Sequence, residues 1–100
     1  MKLKPVEYLP GAQLDLEESA AWYEEQEPGV GDRFQTFVLL TERELQRFPL
    51  LGTPYRRNTR KWRVPKYPFN IIYREENERI IVVAVAHAKR QQDYWRHRID

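Results

Sequence analysis

The sequence predicts an α+β domain in which a largely antiparallel sheet backs an N-terminal helical hairpin. Three observations lead there. Two segments of the first half repeat apolar residues at helical spacing, and three segments of the second half have the length and pattern of strands. A Pro- and Gly-rich stretch, residues 49–58, separates the two halves. One hundred residues suit one hydrophobic core, so a single domain over residues 1–100 is expected.

The elements follow in order. "KLKPVEYL" is short and partly β-branched, and it ends at "PG", so it reads as an edge strand beginning near Pro5. From Gly11 onward, Ala12, Leu16, Ala20 and Tyr23 recur at helical spacing, with Asp15, Glu18 and Glu25 expected to face outward. "EPGVG" breaks this helix. A second helix carries Phe34, Phe37, Val38, Thr41, Leu45 and Phe48 on one stripe, with Asp32 as N-cap and Pro49 as stop. Residues 49–58 are expected to form a loop. In "RKWRV", Trp62 and Val64 share one face, and Lys61 and Arg63 share the other. "FNIIYR" and "RIIVVAVA" flank the polar "EENE", which suits a hairpin. Simple alternation on the last strand puts Val83, Val85 and His87 on one face and Ala84 and Ala86 on the other. That strand is apolar on both faces, as an interior strand covered on both sides would be. "DYWRHRID" is expected to be a terminal helical turn packed on the sheet edge. The order is β-α-α-β-β-β plus a tail.

Composition excludes several chemistries. Without cysteine there is no disulfide, thiolate zinc site or thiol nucleophile. The start lacks the apolar run of a secretory signal, and no stretch approaches the ~20 apolar residues of a membrane span. A cytoplasmic protein that does not bind membranes is expected. Charge is split unevenly. Residues 1–55 carry 5 Lys/Arg against 10 Asp/Glu, net −5, whereas residues 56–100 carry 12 against 5, net +7. A basic face of this kind suits a polyanion or an acidic protein.

Where the last strand ends, apolar residues give way to "HAKRQQDYWRHR". His87 at that rim can be a satisfied structural histidine or a proton-transfer group. Lys61, Arg63, Lys66, Lys89, Arg90, Arg96 and Arg98, with Tyr94 and Trp95 beside them, could hold phosphates and stack on bases. They could equally line a solvated sheet face while Tyr94 and Trp95 staple the tail to the core. No metal-ligand spacing, phosphate loop or paired catalytic carboxylates stand out, so no metal or cofactor is expected.

Taken together, "ESAAWYEEQEPGVGDRF", "YPFNIIYR", "IIVVAVAHAKR" and "DYWRHR" resemble the toxins of the RelE/ParE superfamily, often labelled plasmid-stabilisation proteins. The resemblance spans Ala12 to Arg98. It rests most on Tyr67-Pro68-Phe69 before Ile71-Ile72-Tyr73-Arg74, and on the spacing of His87, Arg90, Tyr94, Trp95 and Arg98. It implies a β-α-α-β-β-β toxin fold and a growth inhibitor silenced by a cognate antitoxin, with operator DNA reached only through that antitoxin. The "HAKRQQDYWRHR" ending and "YPFNIIYR" look closer to the ParE-like branch, which acts on DNA gyrase without catalysis. A RelE-like ribosome-dependent mRNA endoribonuclease is the alternative, with His87, Arg90 and Tyr94 as its catalytic set. In either case Lys61, Arg63, Lys89, Arg96 and Arg98 are the implied target- or nucleic-acid-binding residues. Where many relatives carry Pro before the Tyr-Trp pair, this chain has Gln92-Asp93, an acid beside the basic group. A non-toxic interaction module that kept the fold is the remaining reading.

Overall fold

The computed structural model describes residues 3–99, so Met1, Lys2 and Asp100, which fall within the expected domain, strand and tail, lie outside the described residues. The elements are β1 (Val6–Tyr8), α1 (Pro10–Gln26), α2 (Val30–Arg47), β2 (Thr53–Tyr55), β3 (Thr59–Arg63), β4 (Phe69–Glu76) and β5 (Arg79–His87). Short 3-10 turns occupy Arg56–Asn58 and Arg96–Arg98. The five strands form one mixed sheet in the order β1-β5-β4-β3-β2, with β1 parallel to β5 and the other pairs antiparallel. This is the expected α+β architecture with one addition. The stretch read as loop contributes β2, three residues that pair with Thr59–Lys61 of β3.

The helices pack on one face of the sheet. Ala12 and Ala20 of α1 and Phe34, Val38 and Leu45 of α2 are buried against Val64, Phe69, Ile71, Tyr73, Ile80, Val82 and Val85. The α2 stripe holds except at its end. Phe48 caps the helix C-terminus and stays exposed, because Pro49 turns the chain away from the core. The N-cap of α2 is Gly29, and Asp32 lies inside the first turn instead. Glu24 serves the start of this helix, accepting from the backbone N–H groups of Gly29 (2.9 Å) and Gly31 (3.1 Å). At Gly31 an added Cβ would sit 2.5 Å from the Ala20 carbonyl oxygen, so glycine sets how closely the helices approach.

The β4–β5 hairpin turns through Asn77 and Glu78, both at positive φ, the conformation of a two-residue hairpin turn. Its register shifts once. Ile72 pairs with Ala84 and Tyr73 with Val82, so Val83 is an extra residue. Simple alternation therefore fails on β5. Val83 joins Ala84 and Ala86 on the face away from the helices, while Val82 and Val85 remain on the helix face.

That second face is covered by the C-terminal segment. Trp95 is fully buried against Ile72, Val83, Ala84 and Ala86, with Leu9, Tyr55, Tyr94 and Ile99 around it. The tail thus packs across a sheet face and reaches the edge through Tyr94 and Arg98. Elsewhere, the Tyr73 hydroxyl donates to the Pro49 carbonyl (2.7 Å) and accepts from the Gly52 N–H (2.9 Å), pinning the loop before β2. The Tyr8 hydroxyl donates to Glu42 between β1 and α2. Burial raises the pKa of both partners.

Replacing Trp95 with Ala is expected to lower unfolding free energy by about 3–5 kcal/mol, read as a fall in urea midpoint without change in slope. Folded Glu42 keeps its proton to higher pH than the unfolded chain does. Its stabilising contribution is therefore full below the ordinary carboxyl pKa and lost as pH rises through the raised folded value. Glu42→Gln keeps an acceptor for Tyr8 and should flatten this slope in urea midpoints measured from about pH 4 to about pH 7.

Candidate functional site

The rim residues gather where β4 begins, β5 ends and the tail folds back. Strand β5 delivers His87, whose ring stands edge-to-face on Phe69 at 5.1 Å. The His87 Nδ1 accepts from the Lys89 backbone N–H at 3.0 Å. In the neutral ring the proton therefore sits on Nε2. Three residues on, the Arg90 guanidinium lies over the Tyr94 ring at 4.0 Å, and Arg98 lies 5.1 Å from the same ring.

Tyr94 and Arg98 converge on Asp15. The Arg98 Nη1 and Nη2 donate to Asp15 Oδ2 and Oδ1 at 2.8 and 3.1 Å, and the Tyr94 hydroxyl donates to Oδ2 at 2.9 Å. The Val85 N–H donates to Oδ2 at 3.1 Å, and Arg98 Nη1 also donates to the Val83 carbonyl at 3.0 Å. Asp15 is 8% exposed, not on the solvated side of its helix where the acidic run suggested. Gly11 makes room for this arrangement, since a Cβ there would meet Arg98 Nε at 2.4 Å. Burial, together with the Asp15 charge and hydrogen bond, raises the Tyr94 pKa well above the ordinary phenol value. At neutral pH that hydroxyl is a proton donor committed to Asp15.

The expected site residues thus separate. His87, Arg90 and Lys61 meet around a hollow of about 70 Å³ on the tail face, beside Tyr55, Asn70 and Trp95. The Lys61 ammonium sits 4.4 Å above the Tyr55 ring. His87 and Arg90 also border a groove of about 540 Å³ on the helix side, between α1 and the ends of β4 and β5. Lys89 is exposed next to them. Arg63 is exposed on β3 and donates to the Tyr67 carbonyl at 3.2 Å. Arg96 is exposed and lies 3.8 Å from Asp93, which is thereby the acid that the Gln92-Asp93 pair adds to this region. Arg98 is placed inside, its charge matched by Asp15 and its side chain mostly covered. Asp15 is the residue that sequence reasoning missed. Its signal was its position three residues after the buried Ala12, on the margin of the apolar stripe.

Among the described residues no helix is long and apolar enough to cross a membrane. The sequence pattern of the family described as "ParE toxin of type II toxin-antitoxin system, parDE" matches residues 6–92. A search of curated protein sequences returns no match. Among solved structures, the chromosomal ParDE toxin-antitoxin system of P. aeruginosa is similar with a TM-score of 0.76 and 16% identity, covering 85% of this chain and 96% of that one. The RelBE2 toxin-antitoxin complex of Mycobacterium tuberculosis is similar with a TM-score of 0.59 and 23% identity, covering 86% and 99%. At these identities the likeness is one of fold.

Asp15→Asn and Arg98→Gln should each destabilise the protein by about 3 kcal/mol, because each strands a buried charge or its partners. The double variant should cost clearly less than the sum of the two, as measured by urea unfolding in a double-mutant cycle.

Proposed function

The chain belongs to the ParE toxin family of type II toxin-antitoxin systems, and from that premise we propose that it arrests growth by engaging DNA gyrase and is silenced by a cognate antitoxin. The observation that carries the choice of a non-catalytic action is the state of Tyr94. Of the set that a ribonuclease would use, the tyrosine hydroxyl is held protonated against Asp15, so it is no base at neutral pH. The Arg98 guanidinium is neutralised in the same contact. What stays exposed is a recognition surface of cations, Arg63, Lys89, Arg90 and Arg96, with the half-buried Lys61 beside them, around the His87 imidazole. Such a surface suits docking to a larger target by charge complementarity.

The antitoxin partner is supported by the family's description and by the two similar structures, both from toxin-antitoxin systems. The +7 charge of residues 56–100 favours an acidic antitoxin segment. Operator DNA would be reached through the antitoxin. The RelE-like reading retains one specific support, the meeting of Lys61, His87 and Arg90 at a single hollow. There the His87 Nε2–H would donate to the leaving 5′-oxygen and the two cations would stabilise the phosphorane.

Pulse labelling after induced expression separates these actions. DNA synthesis should fail before RNA and protein synthesis, and purified protein should impair supercoiling by gyrase. Early failure of translation would instead assign the hollow to RNA cleavage. His87→Ala and Arg90→Ala should lose growth inhibition while keeping the wild-type circular dichroism spectrum. Full toxicity in both variants would remove the rim from the mechanism.

A further inference from the structure

The sheet face that carries the tail is divided by charge. Lys61 stands opposite Ile72, and Arg63 opposite Asn70, which in turn faces Ala86. Both cations therefore lie on the side where Ile72 and Ala86 meet Trp95. Toward the β4–β5 turn, Glu76 is paired with Arg74 and Glu7 with Arg79. On the tail, Asp93 lies against Arg96. Where β5 ends the balance is lost: Arg56, Lys61, Arg63, Lys89 and Arg90 have no ion pair among the described residues. Arg56 donates to the neutral Gln92 Oε1 at 2.5 Å and Arg63 to the Tyr67 carbonyl, so both are oriented without losing their charge.

The kind of polyanion that fits is decided by what this end lacks. Every exposed large apolar side chain among the described residues lies between Leu3 and Leu50. The cationic end therefore offers no apolar anchor of the kind that holds a protein–protein interface. Its aromatic rings are closed as well. Trp95 is fully buried, the half-buried Tyr55 ring has Lys61 at 4.4 Å and Trp95 at 6.2 Å, and the Tyr94 ring has Arg90 at 4.0 Å and Arg98 at 5.1 Å. A single-stranded nucleic acid is held by bases stacked on open rings, which this face does not provide. What remains is a set of cations beside the amides of Asn70, Gln91 and Gln92, the side-chain types that contact duplex phosphates.

We propose that the cationic end of the tail face binds the phosphate backbone of duplex DNA, the form in which gyrase holds its substrate. The inference deepens the gyrase reading and rests on it for its setting, while duplex binding is measured without gyrase. Lys61 and Arg63, two residues apart on β3, are spaced by roughly 7 Å along one strand. Lys61 over the Tyr55 ring and Arg90 over the Tyr94 ring lose little side-chain entropy on meeting a phosphate. Backbone contacts of this kind carry no base information, so affinity is indifferent to sequence and falls steeply with salt.

The test is fluorescence anisotropy of a labelled DNA duplex of about 20 base pairs titrated with the purified full chain. Affinity should fall about a hundredfold between ~50 and ~200 mM salt, the slope of about four neutralised phosphates. Arg63→Gln and Lys89→Gln should each reduce that slope by about one and weaken unrelated duplex sequences alike, whereas Arg47→Gln on α2 should change neither. A thymidine strand of equal length should bind about tenfold more weakly. No duplex binding at ~50 mM salt, an affinity indifferent to salt, equal binding of the single strand, or an unchanged slope in both variants would each overturn the proposal. In a supercoiling assay, the double variant Arg63→Glu, Lys89→Glu should be about tenfold less potent, and undiminished potency would overturn it too. Duplex binding by a chain that leaves gyrase unaffected would uphold this inference and remove the gyrase reading alone.

Discussion

A carboxylate and a guanidinium buried together at the open edge of β5 hold three distant parts of the chain in register. Asp15 comes from α1, Arg98 from the last described turn, and the groups they satisfy from the middle of β5. A buried ion pair stabilises only when its remaining hydrogen-bonding capacity is met. Here Asp15 accepts four hydrogen bonds, from Val85, Tyr94 and both Arg98 terminal nitrogens. The pair also solves a backbone problem. With β1 only three residues long, the following stretch of β5 would otherwise leave polar groups stranded beneath α1.

The extra residue in β5 makes that solution possible. Up to Val82 the strand bonds to β1 in ordinary parallel register, and the Leu9 N–H takes the Val82 carbonyl at 3.0 Å. At Val83 the bulge reverses the alternation, so the Val83 carbonyl and Val85 N–H both turn toward Asp15 and Arg98. The same step sets Val83 and Ala84 side by side on one face, giving Trp95 an apolar bed, and sends Val85 toward the groove. One inserted residue thus decides both what the tail covers and what the groove contains.

Much of this was legible in the sequence, and the misses share a physical cause. The α2 stripe, the polar hairpin turn and the doubly apolar β5 follow from periodicity, because burial there is carried by long runs of residues. The bulge at Val83 could not be read this way, since Val82 to Ala86 are all apolar and every register keeps them buried. The three-residue β2, with Pro54 at its centre, falls below the length at which strand patterns are distinguishable from loop. Asp15 was hidden among other acids of α1, its place on the margin of the apolar stripe being a weak mark beside its partner 83 positions away. The rim was legible as a group of residue types at the end of a strand. Its division into a buried arginine and exposed ones was not, because exposure there is set by that same distant aspartate.

The division has a chemical consequence for how the rim can act. The Tyr94 ring packs near both Arg90 and Arg98 while its hydroxyl is tied to Asp15, so the exposed Arg90 is presented on a ring that cannot rotate freely. Rigid presentation of a cation favours recognition of a matching anion, since less side-chain entropy is lost on binding. It disfavours proton transfer, because the hydroxyl that would have to give up its proton is the one the buried carboxylate holds. Stability and surface are therefore written in the same residues. Substitutions at Tyr94 or Arg98 act first on the attachment of the tail, while His87 and Arg90, which line the groove and the hollow without closing the Asp15 contact, are the residues at which the proposed recognition can be tested apart from folding.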